Sequence, residues 1–278
     1  MSLLEPDLRY VRTLLREQAG VVLDPSMDYV VQSRLAPIAQ ACGEASLEAF
    51  VARLRSMPVE ELHRRAVEAL VNGETLFFRD VHPFEGMRTA VLPRIVESRR
   101  SERRLVLWSA ACSTGQEAYS LAMLVRENFH ELMNWDVRIL ASDFSRGSLN
   151  HARKGVYSQF DVNRGLPAAY LAKYFEKRGM AWEVRPELRR MVEFRELNLI
   201  REWPGIPPVD ILFLRNVMLY HDDASRKAIL GRVRRVLRAD GRLILGAAET
   251  TSLLDGSFEP EYTGKATLFR LRNGPGGN

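Results

Sequence analysis

The stretch LVLWSAACSTGQEAYSLAMLV, from Leu105 to Val125, reads as a buried strand, a loop of small residues and a helix. This strand–loop–helix order is typical of nucleotide-binding α/β folds, whose ligands lie beyond the carboxyl ends of the strands. The loop Ala110–Gly115 is therefore predicted to lie at a ligand-binding edge. The stretch indicates both a fold class and a place for a site.

The chain continues this alternation of strands and helices. The predicted elements are a strand at Leu105–Ser109, a helix near 116–132, a strand at Val137–Ala141, a helix from Ser145, a strand at Val209–Leu214, a helix from Asp223 to Leu237 and the strand GRLILG at 241–246. Such alternation predicts a parallel sheet with helices on both faces. The run VDILFL (209–214) is nearly all apolar, as a strand covered on both faces should be.

Residues 6–70 have helical periodicity and no strand signal. In LRYVRTLLREQAGV the apolar residues share one face and Gly20 is a stop signal; DYVVQSRLAPIAQACG and SLEAFVARLRSM repeat the pattern, the latter beginning at Ser46. We therefore expect an all-helical domain at 1–70, a linker at 71–95 and an α/β domain at 96–278. Short runs between turn signals predict a small antiparallel insertion at about 170–197.

The composition is that of a globular protein, with 46% apolar and 27% charged residues in 278. No apolar run approaches the roughly 20 residues needed to cross a membrane, and the N-terminus lacks a signal-peptide layout. The cysteines, Cys42 and Cys112, suggest neither a disulfide framework nor a metal cluster. We expect a cytoplasmic protein.

The net charge of +5 is concentrated in one region, because residues 146–201 hold 12 basic and 6 acidic residues. A basic segment can mark a nucleic-acid or acidic-protein partner. However, 35 of the 40 basic residues are arginine, which also fits a general bias of composition. Both interpretations stay open at this point.

The loop after the first strand has features that disfavour a dinucleotide. A pyrophosphate wants several glycines and a positive helix end, whereas this loop has Gly115 alone and an acid, Glu117, in the first helical turn. Glu117 would repel phosphate, although a helix N-terminus tolerates an acid. A cofactor that carries an ammonium and a sulfonium, such as S-adenosylmethionine, fits better.

Two further strand ends supply polar residues to the same edge. Asp143 ends VRILASDFS, where a carboxylate suits ribose hydroxyls, although it would alternatively cap the helix starting at Ser145. In LFLRNVMLYHDD, Arg215 and Asn216 follow a buried strand and Tyr220 lies just beyond. The Arg215 charge, directly after a buried strand, must have a partner, which favours a functional role for this segment. The alternative interpretation is structural: Asn216 lies in a turn, and one of the two following aspartates caps the next helix.

The segment VNGETLFFRD (71–80) places two phenylalanines, Phe77 and Phe78, between Thr75 and Arg79. Adjacent phenylalanines are unusual in an exposed linker, so the segment is a candidate part of the site. The alternative is that both rings only anchor the linker and that Arg79 is solvated.

Together these segments resemble the chemotaxis-receptor methyltransferases, the CheR family, which transfer a methyl group from S-adenosylmethionine to glutamates of methyl-accepting chemotaxis proteins. WSAACSTGQEAYSLA, ASDFS, LNLI, LRNVMLY and ETLFFRD are the matching motifs. The resemblance spans nearly the whole chain. It implies a Rossmann-like methyltransferase domain with a small β insertion, preceded by an all-α domain, and S-adenosylhomocysteine as product.

Carried over by position, the resemblance implies a set of cofactor contacts. They are Thr75, Arg79, Glu117, Asp143, Asn198, Leu199, Arg215 and Asn216. Arg79 and Tyr220 are the groups that the family places beside the transferred methyl. Many members have asparagine directly before the Glu-Thr of the linker motif; here Gly73 stands there, and Asn72 lies one position earlier.

The implied chemistry agrees with the residue types, because a glutamate carboxylate is ionised at neutral pH and needs no general base. A nucleic-acid methyltransferase is the nearest alternative enzyme, given the pI of 9.4. Its Asn/Asp-Pro-Pro-aromatic motif is missing from the predicted strand ends, since PPVD (207–210) precedes its strand. A cofactor-binding adaptor of a signalling array is the non-enzymatic alternative.

The resemblance also bears on partners. Members that bind a receptor C-terminal peptide carry a glycine-rich extension between the first two insertion strands, where this chain has only Gly179. We therefore expect a protein independent of that tether, with neither nucleic-acid partners nor membrane insertion, that docks directly on the methylation helices of chemoreceptors. Recruitment to membrane-associated receptor arrays is left open. The candidate contacts are Arg34, Arg178, Arg185, Arg189 and Arg190.

Overall fold

The computed structural model describes residues 3–57 and 59–272, which form two compact units. The first unit comprises residues up to 72 together with 220–225, and the second comprises 73–219 and the residues from 226 onward. Much of the stretch expected to be a linker, 71–95, thus belongs to the second unit. It begins that unit rather than standing apart from it.

In the described part of the first unit, four α-helices bury a shared apolar core, besides a short 3-10 helix at Pro25–Met27. They are α1 (Glu5–Ala19), α2 (Asp28–Ala41), α3 (Leu47–Ser56) and α4 (Glu60–Leu70). The predicted end signals act as expected: Gly20 ends α1 in the left-handed region with φ 71°, and the Ser46 side chain accepts a hydrogen bond from the Ala49 amide at the start of α3. Val31, Leu35 and Phe50 are fully buried in this core.

The 220–225 segment of the first unit contacts the residues that follow α1. The Val22 amide donates to the Tyr220 carbonyl at 2.8 Å, and Val21 and His221 form an isolated antiparallel bridge. These backbone contacts hold Tyr220 within the helical unit.

Asp222 provides the helix cap that the sequence assigned to one of two aspartates. Its Oδ1 accepts a hydrogen bond from the Ser225 amide at 2.9 Å, and Arg16 forms an ion pair with Oδ2 at 2.7 Å. The hydrogen bonds from Ser225, followed by Arg16, lower the pKa of Asp222 to about 2. The aspartate is therefore ionised throughout the physiological pH range.

The remaining helices cover the second unit, and α12 begins within the 220–225 segment. They are α5 (His82–Gly86), α6 (Leu92–Ser98), α7 (Gln116–Asn128), α8 (Arg146–Lys154), α9 (Gln159–Asn163), α10 (Ala168–Tyr174), α11 (Pro186–Arg189) and α12 (Asp223–Val236). A π-helical turn, Met87–Val91, joins α5 to α6. Among the described residues, we find no helix whose length and apolar character would let it span a bilayer.

Within residues 73–219 and 226–272, ten strands complete the second unit. They are β1 (Arg104–Ala110), β2 (Asp136–Asp143), β3 (Val156–Ser158), β4 (Phe175–Arg178), β5 (Ala181–Val184), β6 (Val192–Glu196), β7 (Val209–Leu214), β8 (Leu237–Leu245), β9 (Phe258–Thr263) and β10 (Ala266–Leu271). The main sheet has the order β6-β2-β1-β7-β8-β10-β9. Its first five strands are parallel, as predicted for β1, β2, β7 and β8, whereas β10 and β9 pair antiparallel.

Successive residues of β1 show how the sheet is buried on both faces. Leu105 and Leu107 pack into an apolar cluster that includes the buried face of α7, whereas Val106 and Trp108 pack into a second cluster that includes α12. Side chains alternate between the two faces of a strand, so the nearly continuous apolar sequence supplies both clusters.

The insertion begins and ends earlier in the chain than the predicted range of 170–197. Its three strands have the order β3-β5-β4 and are antiparallel, so the strand at Val156–Ser158 precedes that range. Val192–Glu196, by contrast, pairs parallel with β2 at the edge of the main sheet. The sequence misassigned this strand because VEFRE has only two apolar residues, which is typical of a partly exposed edge strand.

A buried acid within VDILFL ties the sheet to α6. The Asp210 side chain is 1% exposed; its Oδ1 accepts from Arg99 Nε at 2.7 Å, and its Oδ2 accepts from the Val106 amide at 2.8 Å. Arg99 also pairs with Asp240, and these hydrogen bonds raise the pKa of the guanidinium. The apolar pattern of the strand gave no sign of this pair.

We predict that Asp210→Ala lowers the free energy of unfolding by about 3–5 kcal/mol, because it leaves the Arg99 guanidinium poorly compensated in the interior. Denaturant unfolding would measure the change. Asp136→Ala is the matched control, since this aspartate is 48% exposed in its pairs with Arg104 and Arg138 and should change stability by under about 1 kcal/mol. Equal effects of the two substitutions would contradict the assignment.

Candidate active site

The loop between β1 and α7 has an unusual backbone. Ala111 and Ser113 have φ values of 57° and 49°, and Gly115 has 94°. Non-glycine residues rarely adopt positive φ, and such strain concentrates at functional sites. Gly115 also allows close packing, because a Cβ there would lie 2.8 Å from the Cβ of Ala152. The Tyr157 hydroxyl donates to the Thr114 carbonyl at 2.7 Å and so holds the loop.

Glu117, in the first turn of α7, forms an ion pair with Arg215 at the end of β7. Arg215 Nη1 donates to Glu117 Oε2 at 3.0 Å, and Ser109 Oγ donates to Oε1 at 2.7 Å. The Arg215 side chain is 1% exposed and that of Glu117 is 12% exposed. The buried cation thus has the partner that its position demanded.

Arg215 also binds the residues 74–80, the ETLFFRD segment. Its Nη2 donates to Asp80 Oδ2 at 2.6 Å and to the Arg79 carbonyl at 2.8 Å. Its guanidinium carbon lies 5.8 Å from the ring centroid of Phe84, within the range of a cation–π contact. One arginine therefore holds a strand end, a helix start and the ETLFFRD segment together.

Phe77 anchors the ETLFFRD segment in the core. Its ring is fully buried and makes edge-on contacts with Tyr157 at 5.1 Å and Phe175 at 5.6 Å. Gly165 lies directly against the Phe77 carbonyl, since a Cβ at Gly165 would be 2.0 Å from that oxygen. For Phe77, the anchoring interpretation is thus confirmed.

The other residues of the ETLFFRD segment are nearer the surface. Phe78 is half-buried, and its amide donates to Ser120 Oγ at 2.9 Å. Arg79 is also half-buried, and its Nη1 donates to the Glu74 carbonyl at 3.1 Å. Thr75, which follows Glu74 in the sequence, is half-buried as well. Arg79 is therefore held within its own segment rather than simply solvated.

Asp143 ends β2 and binds two loops through its carboxylate. Oδ2 accepts from the Ser113 amide and Oδ1 from the Ser145 amide, both at 2.8 Å. The cap of α8 is Ser145 itself, whose side chain accepts from the Ser148 amide; Asp143 does not take that role. The Asp143 carboxylate therefore holds the loop after β1 and the start of α8 together at the end of β2.

Asn198 and Leu199 follow β6 and lie close to the Asp143 strand end. The Leu197 amide donates to the Asp143 carbonyl at 3.0 Å, which places this loop beside β2. Asn198 Oδ1 accepts from the Ile200 amide at 3.1 Å, and Leu199 is buried in the cluster on the α12 face. The structure thus brings both residues to the edge that carries Asp143.

Asn216, directly after Arg215, has a φ of 58° and a buried Oδ1 without a hydrogen-bond partner among the described residues. Its amide donates to Glu249 Oε2 at 2.7 Å. Sequence reasoning missed Glu249, although one signal was present: in GRLILGAAE, an acid follows a buried strand at the same edge as Asp143. A buried amide oxygen with no partner is a candidate ligand contact.

Tyr220 belongs to the first unit and there contacts Asn72. Asn72 Nδ2 donates to the Tyr220 hydroxyl at 2.7 Å. The asparagine that departs from the expected linker position thus contacts the tyrosine that the sequence singled out. No sequence spacing suggested this pair.

The residues at this sheet edge of the second unit suit the binding of a cationic ligand with hydroxyl groups better than catalysis by a nucleophilic side chain. Acceptors predominate: the Asp143 carboxylate lies at the end of β2, and the buried Asn216 Oδ1 has no hydrogen-bond partner among the described residues. Cys112, the thiol in the loop, is buried, and burial raises its pKa well above the ordinary value. Since a reactive cysteine needs a lowered pKa and exposure, Cys112 fits a packing role.

Comparisons with known proteins give matches to two family domains and to curated relatives. Residues 73–265 match the domain described as "CheR methyltransferase, SAM binding domain", and residues 6–71 match "CheR methyltransferase, all-alpha domain". The chain is 35% identical to "Chemotaxis protein methyltransferase Cher2" of Pseudomonas putida, covering 96% of this chain and 98% of the relative. It is also 35% identical to "Chemotaxis protein methyltransferase 1" of Pseudomonas aeruginosa, covering 98% of this chain and 100% of the relative.

We predict that Phe77→Ala lowers the free energy of unfolding by about 3–5 kcal/mol, because it opens a cavity among aromatic rings. Phe160→Ala is the matched control, since Phe160 is 68% exposed and should change stability by within about 0.5 kcal/mol. Thermal or denaturant unfolding would measure both. A small loss for Phe77→Ala would mean that the ETLFFRD segment is not anchored by this ring.

Proposed function

The chain belongs to the CheR methyltransferase family, and from this premise we propose that it transfers a methyl group from S-adenosylmethionine to glutamate side chains of chemotaxis receptors. The observation that carries the proposal is the sheet edge where Glu117, Asp143, Arg215 and Asn216 meet. The match to the SAM-binding domain covers all four of these residues.

The residues at this edge fit S-adenosylmethionine. Asp143, fixed by the Ser113 and Ser145 amides, has lone pairs that suit ribose hydroxyls. The unpartnered Asn216 Oδ1 suits an ammonium or amide donor. Glu117 is half of a charge-neutral pair with Arg215, so the edge does not carry the net positive charge that a pyrophosphate would favour. We assign the remaining cofactor contacts to Thr75, Arg79, Asn198 and Leu199.

The bound cofactor supplies an electrophilic methyl group on a sulfonium. The residues of the chain would position the acceptor carboxylate and exclude water from the site. The acceptor glutamate is already ionised near neutral pH, so no residue needs to act as a base. Arg79, held at Glu74, would orient the incoming carboxylate, with Tyr220 as the second group at the reacting methyl. The half-buried Phe78 ring, held in place by the Phe77 anchor, would exclude water, which otherwise stabilises the separated charges.

A transfer assay tests the function directly. The protein would be incubated with S-adenosylmethionine labelled in the methyl group and with cytoplasmic domains of chemoreceptors from the same organism. The proposed reaction gives base-labile label on the receptor, as expected of a glutamate methyl ester. Base-stable label, or label on added nucleic acid instead, would exclude it.

We predict that Arg79→Ala and Asp143→Asn separate transfer from cofactor binding. Arg79→Ala should reduce methyl transfer far more than S-adenosylhomocysteine affinity, because its role is to orient the carboxylate. Asp143→Asn should weaken that affinity by about 2 kcal/mol, because it removes charge-assisted hydrogen bonds. Calorimetry and the labelled-transfer assay would measure the two quantities.

The two variants serve as controls for each other. Equal losses of transfer and affinity in Arg79→Ala would mean that Arg79 is chiefly a cofactor contact and does not orient the carboxylate. Unchanged affinity in a folded Asp143→Asn protein would remove Asp143 from the cofactor site.

We further propose that the protein works without a receptor tethering peptide. β4 and β5 are the first two strands within the range predicted for the insertion, and the turn between them consists of only two residues, Gly179 and Met180, with Gly179 at φ 61°. That leaves no room for a glycine-rich extension. However, β4 is an edge strand of the insertion, and an open edge can accept an added strand. The short turn, rather than a closed edge, supports the proposal.

The charge offered by the proposed docking residues is smaller than the sequence suggested. Arg178 pairs with Glu176 and Glu183, and Arg189 also pairs with Glu183. Arg34 donates to the Leu70 carbonyl at 2.8 Å. Of the five candidate contacts, these three are thus already partly engaged within the chain. We keep Arg185 and Arg190 as the candidates with the most charge to offer an acidic receptor helix.

We predict that removing the last residues of a receptor changes its methylation rate less than twofold, whereas raising salt from low to physiological strength slows methylation. The salt effect arises because exposed charges are screened over about 8 Å at 0.15 M. Initial rates with full-length and tail-truncated receptors would measure both. A rate that depends strongly on the receptor tail would refute tether-free docking. A salt-independent rate would exclude the basic residues as the docking contacts.

A further inference from the structure

The carboxylate of Glu249 is bound by four backbone amides. Oε2 accepts from Gly246 at 2.8 Å and from Asn216 at 2.7 Å, and Oε1 accepts from Val217 at 2.9 Å and from Leu219 at 3.2 Å. Three of these amides follow β7 and one follows β8. A single side chain therefore satisfies the backbone of both strand ends.

This arrangement meets a backbone requirement. Where a strand ends, its amides lose their sheet partners and still need acceptors when they are not solvated. Asn216 adds a second requirement, because its left-handed backbone with φ 58° is an uncommon conformation that its surroundings must stabilise. A carboxylate offers about four lone-pair sites, which equals the number of amides that point at Glu249.

Gly246 allows the two strand ends to approach closely. A Cβ at Gly246 would lie 2.6 Å from Asn216 Nδ2 and 2.8 Å from Glu249 Oε2. Asn216 Nδ2 thus lies against Gly246, directly after β8, and the buried Asn216 Oδ1 has no hydrogen-bond partner among the described residues. Its neighbour Arg215 is held from the other side by Glu117.

From this geometry we propose that Glu249 is a positioning residue for the cofactor: it fixes the Asn216 backbone so that the Asn216 side chain meets S-adenosylmethionine. The proposal rests on the proposed function, which makes Asn216 a cofactor contact. Glu249 acts through Asn216 and takes no part in the methyl transfer itself.

We predict that Glu249→Gln raises the Kd for S-adenosylhomocysteine about tenfold, because the amide leaves two backbone donors without an acceptor. The KM for S-adenosylmethionine should rise similarly, whereas the KM for the receptor should stay unchanged. Glu249→Asp, which keeps the charge, should restore part of the affinity. Calorimetry and steady-state methylation would measure these values.

Glu259→Gln is the matched control, because Glu259 pairs with Arg270 on the β9–β10 ladder and binds no strand-end amide of the site. It should leave the Kd unchanged. Asn216→Ala provides the decisive comparison: if Glu249 acts through Asn216, Glu249→Gln should weaken binding much less in an Asn216→Ala background. Full additivity of the two effects, or equal effects of Glu249→Gln and Glu259→Gln, would overturn the proposal.

A measurement on the protein without cofactor covers the case in which Glu249→Gln folds poorly. In the wild-type and Glu249→Asp proteins, the amide proton resonances of Asn216 and Gly246 should lie downfield, as expected of bonds to a carboxylate. Ordinary shifts for both amides would overturn the proposal. If the wild-type protein instead fails to bind S-adenosylhomocysteine while these shifts are present, the proposed function fails and the backbone role of Glu249 stands.

Discussion

The candidate site is organised by the need to compensate one buried cation. Arg215 stands at the end of a fully buried strand, and its side chain is 1% exposed. An unpaired charge in such a place would be strongly unfavourable. Glu117 from the start of α7 and Asp80 from the ETLFFRD segment meet this need. Elements far apart in sequence thus contact one guanidinium, and these contacts bring together the candidate site residues that the elements carry.

The same logic extends to the backbone around the site. Asp143 accepts hydrogen bonds from backbone amides of two loops, and Glu249 accepts hydrogen bonds from backbone amides at two strand ends. At the carboxyl edge of a parallel sheet, amides are left without ladder partners, and acids are the side chains with most acceptor capacity. Carboxylates therefore shape the edge as well as offering contacts to a ligand.

The sequence predicted the features that depend on local pattern. The core strands, Gly20, the Ser46 cap and the loop before α7 follow from periodicity and turn chemistry, and the structure confirms them. Prediction from the sequence failed where a residue's partner lies far away along the chain. Asp210 was read as part of an apolar run because its partner Arg99 is 111 positions away. Glu249 was missed for the same reason, and β6 because edge strands carry few apolar residues.

Tyr220 shows that the two units are not separable segments of the gene. The chain leaves the second unit after Leu219 and returns at Arg226, so no single break divides them. A fragment starting at Gly73 would keep the Phe77 anchor but lose the amides of Val22 and Asn72 that bond Tyr220. Loss of the helical unit would therefore remove the hydrogen-bond partners that hold this tyrosine.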